Sequence, residues 1–240
     1  MSDASAPTAR ARRRAACLDA MGVVRWVARS PQAVPVAEAE PPKLEQPSIE
    51  PPPRWEALQE QVAVCTRCQL HESRTQSVFG VGSRSAQLML IGEAPGADED
   101  RQGEPFVGRA GQLLNAMLRA AGFERDTVFI ANILKCRPPR NRDPQPEEVD
   151  ACRPYLEAQI ALLQPRLILA LGRISAQNLL RTDTPVGRLR GRLHRLEPSG
   201  IPLIVTYHPA YLLRNPRDKR RAWEDLKLVK KSLKHPLSIP

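Results

Sequence analysis

Residues 86–100 read "AQLMLIGEAPGADED". The run from Leu88 to Ile91 is wholly apolar and stops at Gly92. Four carboxylates follow within eight residues: Glu93, Asp98, Glu99 and Asp100. A short apolar run closed by glycine is the pattern of a strand buried on both faces. Acid gathered just past such a strand needs an explanation, because the chain as a whole is basic, at +10.

The same pattern recurs downstream. "TVFIANI" (127–133), "RLILALG" (166–172) and "IPLIVTYHP" (201–209) read as further apolar strands. Helical segments separate them. "GRAGQLLNAMLRAAGF" (108–123) places apolar residues three and four apart, and "PEEVDACRPYLEAQIALLQP" (146–165) has acid in its first turn and Pro165 at its end. "RISAQNLL" (173–180) and the basic "PRDKRRAWEDLKLVKKSLK" (216–234) complete the series. Strands alternating with helices predict an α/β fold, a three-layer αβα arrangement around a central four-stranded parallel sheet. In open sheets of this kind ligands bind beyond the carboxyl ends of the strands. Those ends carry Glu93 with its acidic loop, Asn132, Gly172, and His208 with Pro209. A carboxylate, an amide and an imidazole are therefore expected on one rim.

A chain of 240 residues holds one substantial core, or one core and a tail. Residues 1–30 form a basic N-terminal tail, read as disordered or as a short amphipathic helix containing Cys17. A tether for a partner or for DNA, and an organelle transit peptide, are further readings of it. Eight prolines between Pro31 and Pro53 forbid a packed helix or sheet, so 31–54 is read as an extended linker and 55–234 as the folded domain. No apolar run has membrane-spanning length and no secretory pattern is present, so a cytoplasmic protein is expected. Between Arg181 and Lys234 there are fourteen Arg or Lys against five Asp or Glu. Such an excess suits a polyanion, nucleic acid or an acidic membrane surface, although a solvated face accounts for it equally well.

The cysteines narrow the chemistry. "CTRC" places Cys65 and Cys68 close enough to share one metal centre, and Cys136 and Cys152 flank a loop that brings them together. Four thiolates fit zinc or an iron–sulfur cluster, and spacing alone does not choose. Cys17 lies upstream of the linker and is read as non-ligating.

From Trp55 to about Lys231 the chain resembles the family 4 uracil-DNA glycosylases, the iron–sulfur branch of the uracil-DNA glycosylase superfamily. The resemblance is carried by "CTRC" (65–68), "GEAPGADED" (92–100), "GEPFVGRAGQLL" (103–114), "NILKCRPPRNRDP" (132–144), "LALG" (169–172) and "TYHPAYLLR" (206–214), in that order. It implies a 4Fe–4S cluster on Cys65, Cys68, Cys136 and Cys152, structural rather than redox-active. It also implies hydrolytic removal of uracil from double- or single-stranded DNA, the first step of base excision repair, by a monofunctional enzyme. A base stacked in a duplex must be swung into a pocket to be reached. Phe106, in a turn expected to be exposed, resembles the platform for the extruded ring. Asn132 resembles the residue that reads uracil, accepting from N3–H and donating to O4, demands that cytosine reverses. Glu99 resembles the residue that packs against uracil C5 and excludes the methyl of thymine. Asp98 and Asp100 are read as solvated or loop-capping.

His208 would donate to uracil O2 as charge builds on the departing base. Glu93 would hold the attacking water beside the electron-poor sugar. The next position is Ala94, where the family 1 enzymes carry a water-activating Asp, and this leaves Asp100 as a second candidate base. The basic residues from Arg188 to Arg195, Arg190 and Arg192 among them, and from Arg214 to Arg221 would hold phosphates. Tyr211, Leu212 and Leu213 are candidates for an apolar wedge that fills the vacated stack, with a buried first helical turn as the alternative. A monomer is expected, away from membranes and associated with the nucleoid, with the N-terminal tail a contact for a replication or repair partner. The rivals are a non-catalytic or covalent uracil-DNA binder of the same fold, a ferredoxin-like electron carrier and a zinc-stabilised DNA-binding module. The covalent type carries a histidine in the loop after its third cysteine, and here that loop reads "CRPPRNRDP".

Overall fold

A computed structural model describes residues 9–22 and 54–234. The chain divides into two units, Met1–Ile49 and Glu50–Pro240. In the first, the arginine-rich stretch Ala9–Ala20 is helical (α1). The linker read over 31–54 lies outside the described residues except for Arg54. No described helix is long and apolar enough to cross a membrane.

The second unit opens with α2 (Trp55–Ala63) and the single turn α3 (Leu70–Ser73). The Trp55 ring sits 5.9 Å from Phe79 and 5.2 Å from Phe129, fixing α2 against the sheet. The sheet contains β1 (Val81–Gly82), β2 (Leu88–Gly92), β3 (Phe129–Asn132), β4 (Leu167–Leu171), β5 (Leu193–Leu196) and β6 (Ile201–Thr206). Their order is β1-β3-β2-β4-β6-β5. The four inner strands are parallel, as their continuous apolar runs predict, while β1 and β5 add short antiparallel edges. The expected four-stranded parallel centre is present, and two short antiparallel edge strands extend the sheet to six. β1 has only two residues, and β5 is a half-exposed "LHRL" with no continuous apolar run to mark it.

Side chains alternate across the sheet. Met89, Ile91, Phe129, Ala131, Ile168, Ala170, Leu203 and Val205 face one core, shared with α2 and with α6 (Pro146–Leu163). Leu90, Ile130, Leu169 and Ile204 face the other, shared with α5 (Arg109–Ala121) and α10 (Lys219–Lys234). The remaining helices are α4 (Ala97–Gln102), α7 (Arg173–Leu180), α8 (Val186–Leu189) and α9 (Pro209–Arg214). The register pairs Gly92 with Asn132 and Leu171 with Thr206, so the parallel strands end level with one another. That alignment puts Glu93, Asn132, Gly172 and His208 on one rim.

Candidate active site

The rim encloses a cavity of about 770 Å³. Glu93, Ala94, Glu99, Phe106, Asn132 and His208 all line it. Four separated loops therefore meet there, each rooted at or near a strand end. Two glycines make the convergence sterically feasible. A Cβ at Gly92 would come within 2.3 Å of Asn132 Oδ1 and 2.7 Å of the Phe106 ring. A Cβ at Gly172, which has φ +92°, would meet His208 Cβ at 2.7 Å.

Asn132 is 3 % exposed, and its Oδ1 is the one buried side-chain N or O atom without a hydrogen-bond partner among the described residues. Native interiors rarely leave such a group unpaired, and its exceptions concentrate where a ligand supplies the partner. Phe106 is 6 % exposed and sits at φ +56°, a conformation costly for an aromatic residue. The expectation of an exposed turn is corrected: the ring packs into the core, with its centroid 5.5 Å from that of His208. Glu99 holds this loop in place. Its Oε1 accepts from the N–H groups of Val107 (3.0 Å) and Gly108 (3.1 Å), and its Oε2 from Gly96 (3.1 Å). The carboxylate is thus committed to the backbone that carries Phe106. Asp100 is buried and caps Thr75 N–H through both oxygens, whereas Asp98 pairs with Arg101. Neither Asp98 nor Asp100 lines the cavity.

His208 caps the N-terminus of α9, its Nδ1 accepting from Ala210 N–H at 3.1 Å. That bond assigns the ring proton to Nε2. Desolvation, reinforced by the Arg214 guanidinium and opposed by Glu99, pushes the imidazole down to about 4. It is neutral at physiological pH, with one N–H left to donate. Burial, and then the nearby Asp143 carboxylate, pushes Glu93 up to about 7 against the pull of Arg173. A carboxyl tuned to that range suits general-base work near neutrality.

Three charged cavity residues escape sequence reasoning: Arg142, Asp143 and Arg173. Arg142 pairs with Glu148 at the start of α6, and Asp143 pairs with Arg173 at the start of α7. The charge-rich "RNRDP" was a signal, but nothing local says which way that loop faces. On the far wall Tyr207 and Tyr211 stack, with centroids 5.0 Å apart, and the Tyr211 hydroxyl donates to Asp218 at 2.6 Å.

Two residues expected to touch DNA are placed otherwise. Leu212 is fully buried, so it cannot enter a base stack, while Leu213 on the next position is 37 % exposed. Arg190 is committed to the interior: Nε and Nη2 donate to the buried Asp225 carboxylate at 3.0 and 2.7 Å, and Nη2 also donates to the Arg221 carbonyl. Arg192 is exposed, and Arg214 is exposed on the cavity wall.

Cys65, Cys68, Cys136 and Cys152 line a second, much smaller void, with Lys135 and Tyr155 beside them. Arg74 Nη1 donates to Cys136 Sγ at 3.1 Å, and the Lys135 N–H donates to Cys152 Sγ at 3.2 Å. Burial pushes the Cys152 thiol up to about 11, and the Cys136 thiol also upward. Cys17 is exposed and lies in the other unit.

The family model of the Uracil DNA glycosylase superfamily matches residues 79–227. That span contains every cavity residue discussed above, but not Cys65 or Cys68. Among curated proteins the chain is 43 % identical over 175 residues to a type-4 uracil-DNA glycosylase of Archaeoglobus fulgidus, covering 70 % of this chain and 88 % of that one. It is 46 % identical over 175 residues to the type-4 uracil-DNA glycosylase of Pyrobaculum aerophilum, covering 70 % and 89 %. To that of Thermotoga maritima it is 42 % identical over 182 residues, covering 75 % and 94 %. Fold, cavity and likeness agree, and the chain belongs to the uracil-DNA glycosylase superfamily, within its type-4 branch.

Proposed function

We propose that the protein excises uracil from DNA by hydrolysing the bond between base and deoxyribose, leaving an abasic site for repair. The observation that carries this reading is the orphaned Asn132 Oδ1 on the wall of a cavity with room for a nucleotide. A buried acceptor left without a donor costs about 1–3 kcal/mol. Uracil N3–H is a donor of the required kind, and the same amide's NH₂ can donate to O4. Cytosine presents the opposite pair and would leave both groups unpaired.

The uracil nucleotide is turned out of the helix and its ring laid against Phe106. Breaking the C1′–N1 bond sends its electron pair to the base, and the charge spreads onto O2. The neutral His208 donates its Nε2–H there, stabilising charge that develops only as the transition state is approached. Ionised Glu93 holds a water at the oxocarbenium-like C1′ and takes its proton as the new C–O bond forms. No lysine lines the cavity among the described residues, which supports a monofunctional hydrolase over an enzyme that attacks C1′ with an amine. The enzyme would act as a monomer.

Cys65, Cys68, Cys136 and Cys152 would hold a 4Fe–4S cluster. The fit rests on four thiols around one void, two of them receiving N–H···S bonds. Bound there, the cluster supplies a cross-link between the α2–α3 turn, the loop after β3 and α6. Arg142, Arg173, Arg192 and Arg214 would hold phosphates, with Tyr211 and Leu213 beside the vacated stack. The arginine-rich α1 would tether the enzyme to DNA, and so to the nucleoid, or to a repair partner. The test is incubation with oligonucleotides carrying one uracil, in duplex or single strand, followed by hot alkali. Scission at uracil, with cytosine and thymine untouched, is expected. Intact strands after incubation with cluster-loaded protein would overturn the reading.

A further inference from the structure

Lys135 takes no part in the steps above, yet it is 1 % exposed, among the largest fully buried side chains of the protein. Its Nζ donates to the Asn132 carbonyl at 2.9 Å and to Gln159 Oε1 at 2.7 Å. Gln159 in turn donates through Nε2 to the Phe79 carbonyl at 2.8 Å. These acceptors are neutral. They take two of the ammonium's three hydrogens and leave its charge unbalanced, and no carboxylate pairs with it among the described residues. A buried charge without a counter-charge is strongly disfavoured.

The anions available to it are sulfurs. The Lys135 backbone N–H donates to Cys152 Sγ, the next residue is Cys136, Lys135 itself borders the void that all four cysteines line, and Cys152 and Cys136 act electrostatically on its ammonium. Neutral thiols carry no charge, whereas thiolates holding a metal centre do. One residue therefore borders both sites: it lines the void among the thiols, and its ammonium grips the carbonyl of the residue that reads the base.

We propose that Lys135 is a positioning residue, its ammonium balanced by the thiolate-held centre and its hydrogen bond fixing the Asn132 backbone under the uracil. The inference rests on the iron–sulfur reading of the four cysteines. It means that the cluster reaches uracil recognition through a single side chain, without passing electrons.

The test compares wild-type holoprotein with Lys135→Met, which removes charge and donor at nearly constant volume, and Lys135→Gln, which removes the charge alone. Three quantities are read: iron per protein, the midpoint potential of the visible chromophore, and inhibition by free uracil. Both variants should have a more negative potential than wild type, because a cation has left the neighbourhood of the cluster. Uracil inhibition should weaken about tenfold in Lys135→Met, the scale of one charge-assisted hydrogen bond. A packing role alone would lower the melting temperature and leave the potential unmoved. Should Lys135→Met yield no holoprotein, Lys135→Gln carries the same comparison. A wild-type potential in either variant would overturn the inference while the cluster stands. Wild-type protein that never binds iron would overturn the cluster reading and take the inference with it.

Discussion

Asn132 and Asp225 are both buried polar residues near the carboxyl end of the sheet, and the protein treats them in opposite ways. Asp225 is fully buried and wholly satisfied: Arg190 binds both its oxygens, and Thr206 Oγ1, at the end of β6, donates at 2.8 Å. Asn132, at the end of β3, keeps an acceptor unpaired. Partnered, a buried polar group belongs to the architecture. Left open toward a cavity, it is held ready for a ligand. The same contrast separates two of the candidate phosphate binders, Arg190 turned inward and Arg192 left in solvent.

The sharpest way to break this contrast is to remove Asp225. Asp225→Ala strands the buried Arg190 charge and should cost about 3–5 kcal/mol of folding stability, read by denaturant titration. Activity per folded molecule should stay near wild type, since Asp225 touches no substrate. His208→Ala should leave the melting temperature within a few degrees of wild type. It should lower the single-turnover rate about 10²–10³-fold, the usual effect of losing one donor to a developing anion.

The pH profile tests Glu93 against His208. Glu93 acts ionised and ionises near 7, so the single-turnover rate should rise with pH through about 7 and then level. His208 acts neutral and protonates only near 4, so it should add no inflection between pH 5 and 9. Asp143→Asn should move the rise to lower pH, by less than burial itself contributes, because Asp143 is the second cause of the shift. A rate that falls through pH 7 would remove Glu93 as the base. The smallest effect belongs to Arg192. Arg192→Ala should reduce the slope of log affinity against log salt by about one, whereas Arg190→Ala should act through stability.

Much of the fold and of the rim was legible in the sequence, and the contrast itself was not. Four uninterrupted apolar runs announced parallel strands, because only a strand covered on both faces needs them, and the rule of the carboxyl ends then located Glu93, Asn132 and His208. The edge strands were illegible because β1 has two residues and β5 is half exposed. Motif position nominated Glu99 as a wall of the base pocket, but only three-dimensional placement reveals three backbone N–H groups bound to its carboxylate. "YLLR" offered two leucines for a wedge, and the phase of one helical turn decides that Leu212 is inside and Leu213 outside. An arginine's sequence neighbours likewise do not disclose a carboxylate 35 residues away. An unpaired acceptor is legible only once all its possible partners have been placed.

The most direct measurement is single-turnover excision from a uracil-containing oligonucleotide by Asn132→Ala beside wild type, with the melting temperature of each. The account predicts a loss of roughly 10³-fold or more with almost unchanged melting, because the open amide contributes to uracil recognition and little to the fold. Excision within tenfold of wild type, or a loss that follows unfolding, would contradict it.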